Sequence, residues 1–213
     1  SLAIVGRAVG SHTHLPILYN VLLSKDEGQL RLSATDLTLG VMVWLDAHMD
    51  GELGLTLPAK TLTDVVNSLV EPEVVFSVNG KPEAALKCGA YKGVVKGIEA
   101  SEFPTIPEFD VSSGISLDAN ALKEMIQNVA FAASVDDSRP VLTGVLMNME
   151  GKSLSMVGTD GFRLAICKVD LPVTFAKKQM IVPASTLKEV VRIIGATKAS
   201  KITLFLPLTG SQV

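Results

Sequence analysis

Two aspartates stand at matching places in two similar stretches of the sequence, and they are the first candidates for chemistry. Asp36 ends the stretch QLRLSATD, and Asp160 ends the stretch SLSMVGTD. Paired carboxylates can hold the metal ions of a nuclease. The two stretches are far apart and repeat one another, so we expect the aspartates to lie in different domains. Each is therefore predicted to support a tight turn through its own side chain, and we expect no catalytic residue.

Histidines, cysteines and glycines offer little further chemistry. His12 and His14 form a His-x-His pair, but no third ligand follows at a spacing typical of zinc sites, which favours a loop. Cys88 and Cys167 each lie inside an apolar-patterned segment and are predicted to be buried thiols rather than a disulfide or a zinc site. The sequence has no P-loop pattern and no G-x-G-x-x-G. We therefore expect neither a metal nor a cofactor.

The composition is that of an aliphatic globular protein. Of the 213 residues, 47% are hydrophobic, 5% aromatic and 19% charged, which excludes a disordered chain. No apolar run approaches the roughly 18 residues that span a bilayer, and no signal peptide is apparent, so we expect a cytoplasmic location and no membrane partner. The net charge of -3 argues against coating of nucleic acid by overall positive charge, but it permits a locally basic surface.

The elements that position these residues occur twice along the chain. Leu15–Leu23 reads LPILYNVLL, and Pro140–Met147 reads PVLTGVLM, with matching apolar residues at a constant offset. The offset continues through the two Thr-Asp stretches, so each repeat has two alternating strands that end in a Thr-Asp turn. LPAKTLTDVVNSL from Leu57 recurs as VPASTLKEVVRII from Val182. The apolar spacing of both stretches predicts an amphipathic helix.

A second helix is predicted before the strands of each repeat. In the second repeat it runs from about Ala119 to Ala133 with Asp118 as its N-cap, and its counterpart is Ser1–Gly10. An alternating strand follows the later helix, at Glu73–Val78 in the first repeat and at Lys201–Leu206 in the second. This order predicts an α+β fold, with two helices on one face of antiparallel sheets in each duplicated domain.

The boundary between the repeats falls at residues 101–114, SEFPTIPEFDVSSG, where prolines and a Ser-Ser-Gly cluster interrupt the periodicity. We expect a first domain at 1–109 and a second at 113–213. Alignment of the two repeats indicates that the first lacks its N-terminal strand and the second its C-terminal strands. The natural chain is therefore expected to be longer.

The sequence resembles the bacterial beta sliding clamp family, the beta subunits of DNA polymerase III. Phe131–Ile166, which contains SVDDSRPVLTGVLM and TDGFRL, resembles the second domain of that family, and SEFPTIPEF resembles its inter-domain linker. LPILYNVLL with SATDLTLGV resembles the first domain, and the block Thr159–Leu164 is the most specific part. The resemblance covers essentially the whole chain. It implies the DNA-clamp fold, with the family's third domain absent from these residues.

The resemblance implies a non-catalytic processivity factor. In the family, three similar domains form a crescent, and two crescents form a homodimeric ring around duplex DNA with helices lining the hole. The implied partners are duplex DNA, the DNA polymerase III alpha subunit and the clamp loader. A ring that slides must contact phosphates without reading bases. The alternative is a duplicated α+β scaffold that binds a protein partner and never encircles DNA.

The predicted helices are the more basic part of the chain, because they carry five basic and four acidic side chains while the chain has a net charge of -3. The resemblance implies that these basic residues, and one in the loop before the second repeat's first strand, face DNA. They are Arg7, Lys60, Lys123, Arg139, Lys188 and Arg192. His12 stands where the family often has arginine, which weakens the expected contact.

The resemblance also implies one half of a pocket that binds short peptides of polymerases and of the clamp loader. Its residues in this chain are Leu142, Thr159, Gly161, Phe162, Arg163 and Leu164. Such a groove holds apolar peptide anchors while backbone groups fix the register. Leu142 and Leu164 also continue the apolar periodicity of strands, which is equally typical of core residues. Phe162 stands where the family often has histidine, so we expect an altered rim.

Overall fold

The structure, a computed structural model of the chain, describes residues 1–10, 13–107 and 114–205. The chain divides into two units between Pro107 and Glu108, here called unit 1 and unit 2. The described residues form four α-helices and several antiparallel sheets, in agreement with the predicted α+β class. His12 and the end of the predicted strand Lys201–Leu206 lie outside the described residues.

Unit 1 contains a five-stranded and a three-stranded antiparallel sheet. In chain order its elements are α1 (Leu2–Val5), β1 (Asn20–Asp26), β2 (Gln29–Thr35), β3 (Gly40–Leu45), β4 (Gly54–Pro58), α2 (Ala59–Ser68), β5 (Val75–Val78), β6 (Glu83–Cys88), β7 (Tyr91–Lys96) and β8 (Ile98–Glu99). The larger sheet has the strand order β3-β2-β1-β4-β8, and the smaller one has the order β5-β6-β7. In unit 1 the strands on either side of the Thr-Asp turn, β2 and β3, therefore lie in one sheet.

Unit 2 repeats this arrangement, and its β10 and β11 each span the residues that match two strands of unit 1. Its elements are β9 (Ile115–Asp118), α3 (Ala119–Ala130), β10 (Gly144–Thr159), β11 (Leu164–Pro183), α4 (Ala184–Thr197) and β12 (Lys201–Leu204). β10 pairs antiparallel with β11, and β9 pairs antiparallel with β12. Ser155 Oγ donates to the Asn148 carbonyl at 3.3 Å, so β10 folds back on itself around Gly151, where unit 1 turns from β1 into β2.

The helices largely follow the sequence prediction. α3 begins after Asp118, whose Oδ1 accepts a hydrogen bond from the Ala121 N–H at 2.9 Å, so the predicted N-cap is confirmed. The helix predicted over Ser1–Gly10 is wrong in extent. α1 ends at Val5, and a single 3-10 turn follows over Gly6–Ala8. A glycine at this point disfavours continuation of the α-helix.

Equivalent positions in the two repeats pack in the same way. Val5 and Val129 are both fully buried. The Gly10 N–H donates to the Leu18 carbonyl at 3.0 Å, and at the same offset the Ser134 N–H donates to the Leu142 carbonyl at 2.8 Å. Each fully buried valine contributes roughly 1.5–3 kcal/mol relative to an exposed one. The repeat detected in the sequence is therefore a repeat of packing and backbone hydrogen bonds.

The two cysteines are free thiols in different surroundings. Cys88 is buried, as predicted, and its thiol lies 3.6 Å from the Glu71 carbonyl oxygen. Cys167 is only half-buried, because it lies on β11 among partly buried apolar residues at the margin of the unit 2 core. The prediction of a buried thiol is therefore wrong for Cys167.

Candidate functional site

The turn that joins β10 to β11 brings together five of the six residues predicted for the peptide pocket, Thr159 to Leu164. Thr159 Oγ1 accepts a hydrogen bond from the Gly161 N–H at 3.1 Å and donates one to the Arg163 carbonyl at 2.7 Å. Gly161 has a φ of 92°, a conformation that residues with a Cβ rarely adopt. Phe162 follows with 94% of its surface exposed. The turn is thus fixed by its own hydrogen bonds and presents an aromatic ring to solvent.

Asp160 holds this turn together. Its Oδ1 accepts hydrogen bonds from the N–H groups of Phe162 at 2.9 Å and Arg163 at 3.0 Å, and its Oδ2 lies 2.9 Å from Arg163 Nε. The hydrogen bonds from the Phe162 and Arg163 backbone, together with the nearby guanidinium charge, lower the pKa of the Asp160 carboxyl below its ordinary value. The carboxylate is used within the turn, which confirms its predicted role as a turn residue.

Arg163 connects the turn to the end of α3. Its guanidinium lies 5.6 Å from the centre of the Phe131 ring, within the range of a cation–π contact. Phe131 is the residue that follows the last turn of α3. Sequence reasoning did not place it in the site. It lies outside the apolar stripe of α3, and this off-stripe aromatic was the one available signal.

The segment between α3 and β10 flanks the turn on another side. Arg139 Nη1 lies 3.7 Å from the position that a Cβ on Gly161 would occupy, and Arg139 Nη2 lies 3.7 Å from Asp136 Oδ2. Hydrogen bonds from Ser138 lower the pKa of the Asp136 carboxyl. Arg139, which the resemblance assigned to DNA, therefore lies beside the predicted peptide turn.

The two leucines of the predicted pocket differ in burial. Leu142 is half-buried in a 3-10 turn, Pro140–Thr143, where its carbonyl accepts the hydrogen bond from Ser134 and its N–H donates to the Arg139 carbonyl at 2.9 Å. Leu164, at the start of β11, is 63% exposed. Strand periodicity also allowed both leucines to be core residues, and for Leu164 that alternative is wrong.

Unit 1 contains the same turn with different side chains. Thr35 Oγ1 accepts a hydrogen bond from the Leu37 N–H at 3.0 Å, and Asp36 Oδ1 accepts from Thr38 at 2.8 Å and Leu39 at 2.7 Å. Leu37 has a φ of 74° and takes the place of Gly161. Asp36 is thus a turn residue like Asp160, and the two carboxylates lie in separate units instead of forming a pair.

The residues predicted to face DNA lie on helices or beside them. Arg7 is in the 3-10 turn after α1, Lys60 in α2, Lys123 in α3, Lys188 and Arg192 in α4, and Arg139 in the loop before Pro140–Thr143. All are exposed except Lys123, which is half-buried. Arg192 Nη1 pairs with Glu189 Oε1 one helical turn away. Exposed cations on helices can contact phosphates without reading bases.

Other parts of the described chain add no further site. A cavity of about 140 Å³ lies between β9, α3 and β11, and apolar side chains such as Leu117, Leu122 and Met125 line it; none of the predicted site residues does. Within the described ranges, His, Cys, Asp and Glu form no group of three that could hold a metal ion. Among the helices of the same ranges, none is long and apolar enough to cross a membrane.

Both units match known protein-family models. Residues 1–107 match the model of the DNA polymerase III beta subunit, N-terminal domain. Residues 116–209 match the model of the DNA polymerase III beta subunit, central domain. The two matches together include the described turn in each unit and the helices that carry the exposed basic residues.

The chain is also similar to individual beta sliding clamps and to solved structures of DNA polymerase III beta subunits. A beta sliding clamp of Synechococcus elongatus is 37% identical over 201 residues, which are 91% of this chain and 53% of the relative. The crystal structure of a DNA polymerase III beta chain from Streptococcus pneumoniae aligns with a TM-score of 0.90 and 25% identity, over 97% of this chain and 57% of that one. A DNA polymerase III subunit beta from Pseudomonas aeruginosa aligns with a TM-score of 0.83 and 31% identity, over 96% and 56%.

These similarities confirm the predicted clamp fold for the residues that align. The chain spans about half the length of the curated relatives that it matches.

Proposed function

The chain belongs to the DNA polymerase III beta subunit family, and on this premise we propose that it supplies two domains of a sliding clamp. In this proposal the complete protein is a homodimeric ring that encircles duplex DNA and tethers DNA polymerase III to it. The ring raises processivity and catalyses no reaction. Bacterial DNA lies in the cytoplasm, so the protein acts there. The observation that carries the proposal is the family match across both units.

The exposed basic residues on the helices support a contact with duplex DNA. Lys60 in α2 and Lys188 in α4 follow the N-termini of equivalent helices in the two units, and both are exposed. Lys60 aligns with Ser185 and Lys188 with Thr63, so each repeat presents one exposed lysine near the start of this helix, at places three residues apart. Attraction to phosphates of this kind is independent of sequence and weakens as salt rises, which suits a ring that must slide.

The turn at Thr159–Leu164 supports a site for peptides of the polymerase alpha subunit and of the clamp loader. Phe162 and Leu164 offer exposed apolar surface, while the polar groups of Asp160 are occupied within the turn. Arg139 and Leu142 lie in the flanking segment. A peptide can bury apolar anchors here without leaving the turn's carboxylate unpaired.

Retention on circular DNA tests the proposal. The protein expressed from its complete reading frame would be loaded onto a nicked plasmid by a clamp loader with ATP and then transferred to high salt. We expect the protein to stay on intact circles, because a closed ring is held topologically, and to leave after a restriction enzyme linearises the plasmid. DNA that is linear from the start is the control.

Prompt release from intact circles at high salt would contradict the proposal, because a salt-sensitive contact is the only link that a non-encircling protein has to DNA. The protein would then be a duplicated scaffold that binds protein partners. Retention that is equal on circular and linear DNA would contradict it as well, since encirclement predicts a difference between the two.

A further inference from the structure

Sulfur-containing side chains form a row across the β10–β11 sheet of unit 2. In the antiparallel pairing of the two strands, Met156 lies opposite Cys167. In the same pairing, Met147 lies opposite Met180. The fold-back of β10 around Gly151 places Met147 opposite Met156, which closes the row. Neighbouring Cβ atoms in such a row lie about 5 Å apart, so each sulfur has another sulfur as its neighbour.

Unit 1 has no sulfur at the matching places of its own sheet. Its row consists of Leu32, Leu23 and Leu55, with Val43 at the end that corresponds to Cys167. The three leucines are buried, with 3% of their surface exposed or less. Leucine and methionine are similar in volume, so either can fill such a row. The two units therefore differ here in the chemistry of the core and little in its size.

The two ends of the sulfur row come close to the surface, while its middle is closed off. Cys167 and Met180 are only partly buried against the unit 2 core, whereas Met147 is 4% and Met156 0% exposed. An oxidant can thus reach a sulfur at either end while the unit stays folded. When hydrogen peroxide meets a thioether, one of its oxygens bonds to the sulfur, the O–O bond breaks, and water leaves. The methionine is oxidised to its sulfoxide as the peroxide is reduced to water.

A sulfoxide within this row would find no hydrogen-bond donor among the side chains around it. These side chains belong to the unit 2 core and are apolar, such as Leu154, Val169 and Phe175. A buried acceptor without a partner is destabilising, because it has lost its hydration and gained nothing in return. Oxidation at one end should therefore loosen the packing beside it and open Met147 and Met156 to the same reaction.

We propose that the sulfur row is a reversible oxidation site, which loosens unit 2 in the presence of peroxide and leaves unit 1 intact. Met180 is modified first, and Met147 and Met156 follow. Methionine sulfoxide reductases return the sulfoxide to the thioether, so repair restores the row. The proposal is independent of ring formation and of peptide binding, because the measured property is the packing of each unit.

Hydrogen exchange followed by mass spectrometry of peptic peptides tests the proposal on the protein from its complete reading frame. Exchange would be measured before and after treatment with hydrogen peroxide, and the added oxygens would be mapped in the same peptides. Met42 and Met49 of unit 1 lie outside its buried core and serve as references for peroxide reactivity. Circular dichroism would check that each protein is folded.

Two variants exchange the rows between the units and act as controls for each other. The first gives unit 2 the residues of unit 1, and the second gives unit 1 the residues of unit 2. The changes are Met147→Leu, Met156→Leu, Met180→Leu and Cys167→Val in the first, and Leu23→Met, Leu32→Met, Leu55→Met and Val43→Cys in the second.

We expect peroxide to speed the exchange of β10 and β11 amides in the wild type by about tenfold, and that of β1–β4 amides by less than about twofold. The first variant should lose this response, and the second should show it in β1–β4 as well. Reductase treatment should restore slow exchange. Dithiothreitol alone should not, because it reverses the oxidation of a thiol to a sulfenic acid or a disulfide and leaves a methionine sulfoxide in place.

Equal acceleration in both units of the wild type would overturn the proposal. So would row methionines that stay unmodified while Met42 and Met49 are oxidised. Recovery with dithiothreitol alone would overturn it too, because Cys167 would then be the modified residue. If a variant does not fold, the comparison of the two units within the wild type decides by itself.

Discussion

Gly161 gives the Thr159–Leu164 turn its positive φ, and Gly161→Ala is therefore the most direct test of how that turn is built. The residue has a φ of 92°, and only Arg139 Nη1, at 3.7 Å, would come near an added Cβ. An alanine would thus fit sterically into the space but not into the backbone conformation. Leu37 occupies the equivalent place in unit 1 with a φ of 74°, so the turn can hold a side chain under strain without unfolding.

The expected loss of stability follows from two opposing terms. A left-handed conformation costs a residue with a Cβ roughly 1–2 kcal/mol, and a φ of 92° lies well beyond the centre of that region. Alanine also lowers the conformational entropy of the unfolded chain, which stabilises the folded state by roughly 0.4–1 kcal/mol. We expect the free energy of unfolding to fall by about 1 kcal/mol.

Gly195 provides a control in which the same substitution should have the opposite effect on stability. It lies inside α4, and nothing stands within 4 Å of an added Cβ. Alanine in a helix interior is better than glycine by roughly 0.5–1 kcal/mol, so Gly195→Ala should raise the free energy of unfolding. The two glycine-to-alanine variants of unit 2 should therefore differ by roughly 2 kcal/mol.

Urea unfolding followed by circular dichroism measures both variants. With a slope of about 1–3 kcal/mol per molar urea, Gly161→Ala should move the midpoint down by roughly 0.3–1 M. The single tryptophan, Trp44, lies in β3 of unit 1, so its fluorescence reports on the unit that carries neither change. A Gly161→Ala protein as stable as the wild type, beside a stabilised Gly195→Ala protein, would refute the claim that a positive φ constrains this turn.

Two further predictions concern charge. The folded state lowers the pKa of Asp160 below its ordinary value of 3.8, so the stability linked to this carboxylate is present above pH 3.8 and is lost as the pH falls through the lower folded pKa. In Asp160→Asn the free energy of unfolding should therefore fall less steeply as the pH drops below 3.8. The same pH dependence in Asp160→Asn and the wild type would contradict this. Lys188→Gln should reduce the slope of log affinity for linear duplex DNA against log salt by about 0.9 if Lys188 contacts one phosphate, while Lys152→Gln on β10 should not. Anisotropy titrations at several salt concentrations measure both slopes, and an unchanged slope for Lys188→Gln would remove it from the DNA contact.

The parts of the site that could be predicted from the sequence are those built from local bonds. The role of Asp160 depends on N–H groups two and three residues further along the chain, and the Asp118 cap depends on Ala121. Such short-range patterns recur wherever the same residues do. The repetition of the Thr-Asp stretch was therefore sufficient to predict a turn in both units.

The parts that could not be predicted join distant segments. Arg139 reaches Gly161, and Phe131 meets Arg163, only because α3 and the β10–β11 hairpin pack together. Burial shows the same limit. Leu30 and Leu154 occupy matching places in the repeat, yet Leu154 is fully buried and Leu30 is half-buried. Burial depends on what covers a strand, and the periodicity of the strand does not contain that information.

The two copies of the turn separate what the fold requires from what the site displays. Both copies keep the threonine and aspartate whose side chains bind the turn's backbone. The three positions after the aspartate differ, since Leu37 in unit 1 corresponds to Gly161 in unit 2 and the next two residues also change. Substitution at these positions alters the presented surface and leaves the hydrogen-bonded frame in place. The exposed phenylalanine at the second of them is thus a property of the unit 2 surface, and the hydrogen bonds of the turn do not require it.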